Sequence, residues 1–153
     1  MLAQRNGSII NISSIGGLGA ILPIGPAYSA AKAAVVNLTR ILALNWGDRG
    51  LRVNAIAPGY FQSETSEPYL TLPGVKAKVS KMSALGPIGE PPELTGALLL
   101  FASDAGSFIT GQTLAVDGGL SARLGVVPLH EAGHYVFLKK LGKPFERRLA
   151  VDP

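Results

Sequence analysis

Tyr28 and Lys32 stand four residues apart in "AYSAAK", inside a run of small residues. On a helix, positions i and i+4 are neighbours on one face. A lysine ammonium close to a phenol favours the phenolate, and a tyrosine in that setting can give or take a proton near neutral pH. The plainer alternative is an exposed Tyr and an exposed Lys on a surface helix, and the rest of the chain must decide. Ser14 adds a third polar group at the end of the β-branched run "GSIINISS". A hydroxyl there can hydrogen-bond a substrate oxygen. Phenol, ammonium and hydroxyl together suit the interconversion of an alcohol and a carbonyl.

These residues need a frame. The run after Gly7 predicts a buried strand over 7–14. Residues 15–26, rich in Gly and Pro, predict a loop. The pattern over 27–46 is helical, and "GDRG" ends it. "LRVNAIAPG" (51–59) predicts a second buried strand, stopped by Pro58 and Gly59. Residues 60–74 are polar and irregular, and 75–85 are weakly helical. A helix over 89–106 has Pro near its first turn, and 112–119 form a third strand. Alternating strands and helices predict βαβ units, a parallel sheet and right-handed crossovers. Ligands of open α/β sheets bind beyond the carboxyl ends of the strands. Ser14, Tyr28, Pro58 and Gly59 all fall on that side.

Composition narrows the class. The 153 residues suit one domain, and 47% hydrophobic against 16% charged residues supplies a core and argues against disorder. No cysteine is present, which excludes disulfides and cysteine-based zinc sites. The net charge is +4, but Lys139, Lys140, Lys143, Arg147 and Arg148 crowd the last fifteen residues. The remainder is nearly balanced, so no nucleic-acid surface is expected. No apolar run reaches the ~18 residues of a membrane span. In the opening "MLAQRNGSII", Gln4, Arg5 and Asn6 interrupt any signal-peptide core. A cytoplasmic protein is expected.

With these residues in order, "NISS", "YSAAK", "RVNAIAPGY" and "FITGQTLAVDGG" resemble the C-terminal half of the short-chain dehydrogenase/reductase family. The resemblance covers roughly residues 2–122 and looks most like the gluconate, glucose and 3-oxoacyl-carrier-protein reductase branch. It implies an α/β fold, a partial Rossmann-like, doubly wound parallel sheet built from the family's last three strands with their helices, over residues 1–122. Residues 123–153 would be a helical C-terminal extension. By the same resemblance, Ser14 orients the substrate oxygen and Tyr28 is the general acid and base. Lys32 would bind the nicotinamide ribose and tune Tyr28. Pro58, Gly59 and Phe61 would line the nicotinamide of NAD or NADP, and Ser63 stands where a threonine usually contacts that cofactor. Residues 60–85 would form a substrate lid over a small hydroxy or keto compound, of sugar-acid or 3-oxoacyl type. Ser14 precedes Tyr28 by fourteen residues, one more than the family commonly shows, and loop 15–26 can absorb the difference. Ser13 is the alternative serine, which alternation turns the other way.

The family's first four strands, its phosphate loop and its helix-borne catalytic asparagine have no counterpart here. "GGLG" (16–19) offers G-x-G from Gly17, but position 22 is Leu and no acidic residue follows at the required distance. Loss of the cofactor-binding half would impair activity. It would also leave "SIINIS" (8–13) as an apolar sheet edge open to pairing. The alternative is an inactive remnant or an interaction subunit. Helix 27–46, with Ala30, Ala31, Ala33 and Ala34, and the C-terminal strand region would pack a homo-oligomer. Finally, "HEAGH" (130–134) matches H-E-x-x-H, with His130 and His134 on one helical face and Glu131 between them. No third histidine follows, so an amphipathic helix is expected there, with no metal site. A zinc-binding tail is the remote alternative.

Overall fold

The structure, a computed structural model, describes residues 1–21, 25–64 and 66–122. The HEAGH segment and the rest of the tail lie outside the described residues. Three parallel strands form one sheet in the order β1 (Gly7–Ile12), β2 (Leu51–Pro58) and β3 (Thr113–Val116). The four helices are α1 (Pro26–Trp46), α2 (Glu67–Leu70), α3 (Val75–Met82) and α4 (Thr95–Ala102). Short 3₁₀ turns stand at Ile15–Gly17, Gly47–Arg49, Pro91–Leu94 and Asp104–Gly106.

Side chains of a strand alternate between faces, and the two faces of β1 meet different helices. Ser8 Oγ donates to the carbonyl of Phe101 in α4, and Ile10 packs on the cluster of Ile56, Ala97 and Phe101. On the other face, Asn11 donates to Thr39 Oγ1 and Ser13 Oγ to the carbonyl of Lys32, both in α1. β2 lies between and is almost wholly buried, with Val53, Ala55 and Ala57 at 0% exposure. Its Asn54 is equally buried, and both ends of its amide are used: Nδ2 donates to Ile109 O and Oδ1 accepts from Gln112 N–H. That pair ties the loop before β3 to the central strand.

α1 and α4 therefore cover opposite faces, although both crossovers step the same way across the sheet. Their hands must be opposite. The expectation of right-handed crossovers holds for one of them at most. The right-handed preference belongs to helices that pack straight back on the sheet. Here the β2–β3 connection first runs out past the strand ends through α2 and α3, then pairs Phe61 with Gly89 before reaching α4. The predicted single helix over 89–106 is likewise broken into a 3₁₀ turn, α4 and a second 3₁₀ turn. Pro91 and Pro92 stand at N1 and N2 of the first turn, where an N–H would have no partner within the helix. The start is fixed by a capping box, in which Glu93 accepts from the Glu90 amide.

Candidate active site

Three strand ends meet on one side of the sheet. β1 ends at Ile12, and Ser13 N–H makes the next ladder bond to Ile56 O, 2.8 Å. The following bond would need an N–H from Pro58, which has none, so β1 and β2 part there. Gly59 then turns the chain against Asp117, where any Cβ would come within 2.7 Å of that side chain.

The N-terminal turns of α1 are fastened to the end of β1. Gly25 caps the helix and Pro26 opens it, a favoured first-turn residue. Lys32 Nζ donates to Ile12 O at 3.0 Å, and Ser13 Oγ donates to Lys32 O at 2.8 Å. Lys32 Nζ also lies 5.7 Å from the centroid of the Tyr28 ring, within cation–π range. The i, i+4 pair read from the sequence is thus brought together, with Tyr28 half exposed beside it. Gly17 lets the preceding turn press on α1: a Cβ there would stand 2.6 Å from the Lys32 carbonyl carbon. Within "GGLG" it is Gly17 that serves close packing against this helix, whereas a Cβ at Gly19 would meet nothing within 4 Å.

Ser14 is buried, and its Oγ accepts from Gly16 N–H at 3.1 Å, capping the 3₁₀ turn. No bond donated by the Ser14 hydroxyl stands among the described residues, so its proton is available to a ligand. The two serines do turn apart, Ser13 to α1 and Ser14 to the turn. Phe61 lies against Gly89, a residue without a Cβ to displace its ring. Ser63 is held in a tight turn with Ser66, exchanging hydroxyl and amide bonds with it.

At the ends of β2 and β3 lies a cavity of about 240 Å³, whose walls include Phe61 but not Ser14, Tyr28, Lys32, Pro58, Gly59 or Ser63. Tyr60, Phe61, Val79, Ile88, Val116 and Asp117 are among its walls. Burial raises the Tyr60 phenol above its ordinary value of 10.0, and Tyr69, stacked at 6.5 Å, raises it further. Tyr60 is therefore a neutral donor. Burial also pushes the Asp117 carboxyl up, but hydrogen bonds from Ser121, Gly119 and Leu120 outweigh it and leave the group below 3.8. Residues 83–85 close the cavity rim by bonding to Gly118 O, through Ser83 Oγ and the Ala84 and Leu85 amides. The sequence reading missed Asp117 and this clasp. "DGG" after a strand was the available signal, since Gly118 and Gly119 both adopt positive φ. Among the described residues there is no cluster of three metal-ligating side chains, and no helix long and apolar enough to cross a membrane.

Comparison with known proteins places this geometry. A family model described as enoyl-(acyl carrier protein) reductase matches residues 1–121. Galactitol 2-dehydrogenase (L-tagatose-forming) of Cereibacter sphaeroides is 42% identical over 120 residues, 78% of this chain and 47% of that protein. A 3-oxoacyl-[acyl-carrier-protein] reductase of Thermotoga maritima is 41% identical over 122 residues, again 78% of this chain and 48% of the relative. The crystal structure of a gluconate 5-dehydrogenase from Burkholderia cenocepacia, in complex with NADP and tartrate, superposes with a TM-score of 0.77 at 37% identity. It covers 80% of this chain and 48% of that one. The chain thus spans about half the length of the relatives it matches. In sequence and in fold, it belongs to the short-chain dehydrogenase/reductase family.

Proposed function

We propose that this chain carries the catalytic end of an NAD- or NADP-dependent oxidoreductase that interconverts a secondary alcohol and a ketone. The observation that carries the reading is the Tyr28–Lys32 pair, anchored to the end of β1 where Ser14 follows. Tyr28 Oη would exchange the proton of the substrate hydroxyl. Ser14 would donate its hydroxyl proton to the same oxygen while Gly16 N–H holds its Oγ in place. Lys32 has three ammonium donors and uses one on Ile12 O, which leaves two for ribose hydroxyls. The opening between β1 and β2 at Pro58, with Gly59 and Phe61 beside it, fits a flat nicotinamide ring, and Ser63 would lie at its edge. When bound, the nicotinamide supplies or accepts the hydride. The named relatives support a sugar-type or 3-oxoacyl-type substrate, and the family match ending at residue 121 supports a division of the chain near residue 122.

NADH and NADPH fluorescence titrations test this reading. Saturable binding is expected, weakened about tenfold by Lys32→Ala through loss of charge-assisted hydrogen bonds. Tyr28→Phe should bind cofactor normally and lower turnover of polyol or 3-oxoacyl thioester substrates by about 10²–10⁴-fold. Absence of binding up to millimolar cofactor would instead favour an interaction subunit that retains the fold. That second reading draws on the present engagement of Lys32 Nζ with a backbone carbonyl.

A further inference from the structure

The segment that the family resemblance makes a substrate lid begins at Tyr60, and its helices share a core of their own. Leu70 of α2, Val79 of α3 and Ile88 are buried together, with Tyr60, Tyr69 and Val75 packed around them. Every member of that cluster falls within residues 60–88, apart from the sheet cluster of Ile56, Ala97 and Phe101. The base of the segment is stapled: Gly89 N–H donates to Tyr60 O at 3.0 Å, and Gln62 N–H to Gly89 O at 2.9 Å. Its far end is tied to the turn after β3. Gly118 O accepts from Ser83 Oγ at 2.8 Å, from Ala84 N–H at 2.8 Å and from Leu85 N–H at 3.0 Å. Three donors on one carbonyl exceed its two lone pairs, so this oxygen is fully engaged.

That oxygen is aimed by its neighbours. Asp117 accepts from Gly119 N–H at 2.9 Å and from Ser121 N–H at 2.7 Å, which closes the turn around Gly118. Gly118 and Gly119 hold φ of 61° and 82°, where side chains rarely go. Space demands glycine as well. A Cβ on Gly118 would collide with Ser83 Oγ, and one on Gly119 would stand 2.9 Å from Ala84 Cβ. We propose that Asp117 is a positioning residue for the substrate lid: by fixing the Gly118 carbonyl it holds residues 83–85 in place, so that α2 and α3 open and close as one body about Ser83. Ser83 is the residue at which α3 passes into extended backbone, φ −77° and ψ 142°. A lid that is closed for a smaller fraction of the time binds substrate more weakly in the same proportion. This role deepens the oxidoreductase reading above and rests on it.

The test uses the full ¹⁵N-labelled chain with Asp117→Asn and Ser83→Ala, singly and together. In each single variant the Ala84 and Leu85 amides should exchange about tenfold faster than the global loss in urea unfolding accounts for, as for one lost hydrogen bond. The Ser13 and Ala55 amides, bonded to Ile56 O and Gln112 O, should follow the global loss alone. So should the Lys78 amide, bonded within the lid to Gly74 O, because α3 swings without unfolding. The double variant should exchange no faster at Ala84 and Leu85 than the faster single one, since both substitutions open one clasp. Lid and core amides that change alike would overturn the clasp, and additive effects would overturn the action of Asp117 through it. Turnover of polyol or 3-oxoacyl thioester substrates at saturating cofactor gives a second readout. Asp117→Asn should raise KM about fivefold and leave kcat within about twofold, as a smaller closed fraction requires. A fall in kcat at unchanged KM would overturn the lid role. The two readings fail separately. The expected exchange pattern in a chain without turnover would remove the oxidoreductase reading and keep the hinge at Ser83. Turnover with uniform exchange would keep that reading and remove the hinge.

Discussion

Asp117 stands one residue beyond β3 and holds the turn that closes the cavity. Its Oδ1 accepts from Gly119 N–H at 2.9 Å and its Oδ2 from Ser121 N–H at 2.7 Å. Burial alone would favour the protonated acid, but the amides favour the carboxylate more, and the folded-state value falls below 3.8. The folded state binds this proton less readily than the unfolded one, so the contribution to stability is complete above about pH 4 and is lost as pH falls through the folded value. Urea unfolding of the chain from pH 5 to 2.5 should show this loss, and Asp117→Asn should flatten that part of the profile. At pH 7 the same variant should be less stable by about 1–3 kcal/mol, because a charged acceptor of two amides is replaced by a neutral one. An unchanged acid limb in Asp117→Asn would show that other carboxylates govern it. Tyr28 and Lys32 were legible in the sequence because an i, i+4 pair on a helix is a local matter. Asp117 was not, because its partners are amides of a turn whose two positive-φ glycines give meaning to the carboxylate only after folding.

At the scale of elements, the contact that sets the site is α1 against the turn at Ile15–Gly17. Gly17 is the point of close approach: a methyl group on its Cα would stand 2.6 and 2.7 Å from the Lys32 carbonyl carbon and oxygen. Backbone cannot move aside as a side-chain tip can. Gly17→Ala should therefore push α1 outward and cost about 1–3 kcal/mol, the range for overpacking. It should also disturb the neighbouring Ser13–Lys32 and Lys32–Ile12 bonds. A thermal melt and the Ile12 carbonyl shift check both effects. A variant as stable as the parent, with that shift unmoved, would mean the turn yields freely. Strands β1 and β2 and helix α1 were readable because β-branched runs, a Pro–Gly stop and a Gly cap are local signals. The opposite hand of the second crossover was not readable. It follows from where α4 finds apolar cover, on Ile10, Ile56 and Val116, and that is settled by tertiary packing. The short α2, with Pro68 in a polar stretch, likewise draws its order from Leu70, Val79 and Ile88 packing together.

For the molecule as a whole, the question is what the exposed apolar surface is for. In α1 the buried stripe is Val36, Thr39 and Ala43. Leu38, Ile41 and Leu44 face outward at 49%, 48% and 81% exposure. The small residues Ala30, Ala31, Ala33 and Ala34 are also exposed and would let a second helix approach closely. Pairing two α1 helices would remove three such apolar side chains per chain from water, a gain of roughly 5–8 kcal/mol. Lost rigid-body freedom alone costs about 4–15 kcal/mol. The helix face by itself therefore supports only weak association, and a stable oligomer would need further surface, such as the region of β3 and the exposed Phe108. Sedimentation velocity of the chain should show a monomer–dimer equilibrium no tighter than about micromolar. Leu38→Glu with Ile41→Glu should abolish it, since both side chains are already half exposed and the substitutions leave the buried stripe intact. A chain that is monomeric at all concentrations would leave α1 without a homotypic role. A tight dimer that survives the double substitution would place the contact elsewhere than on this face of α1.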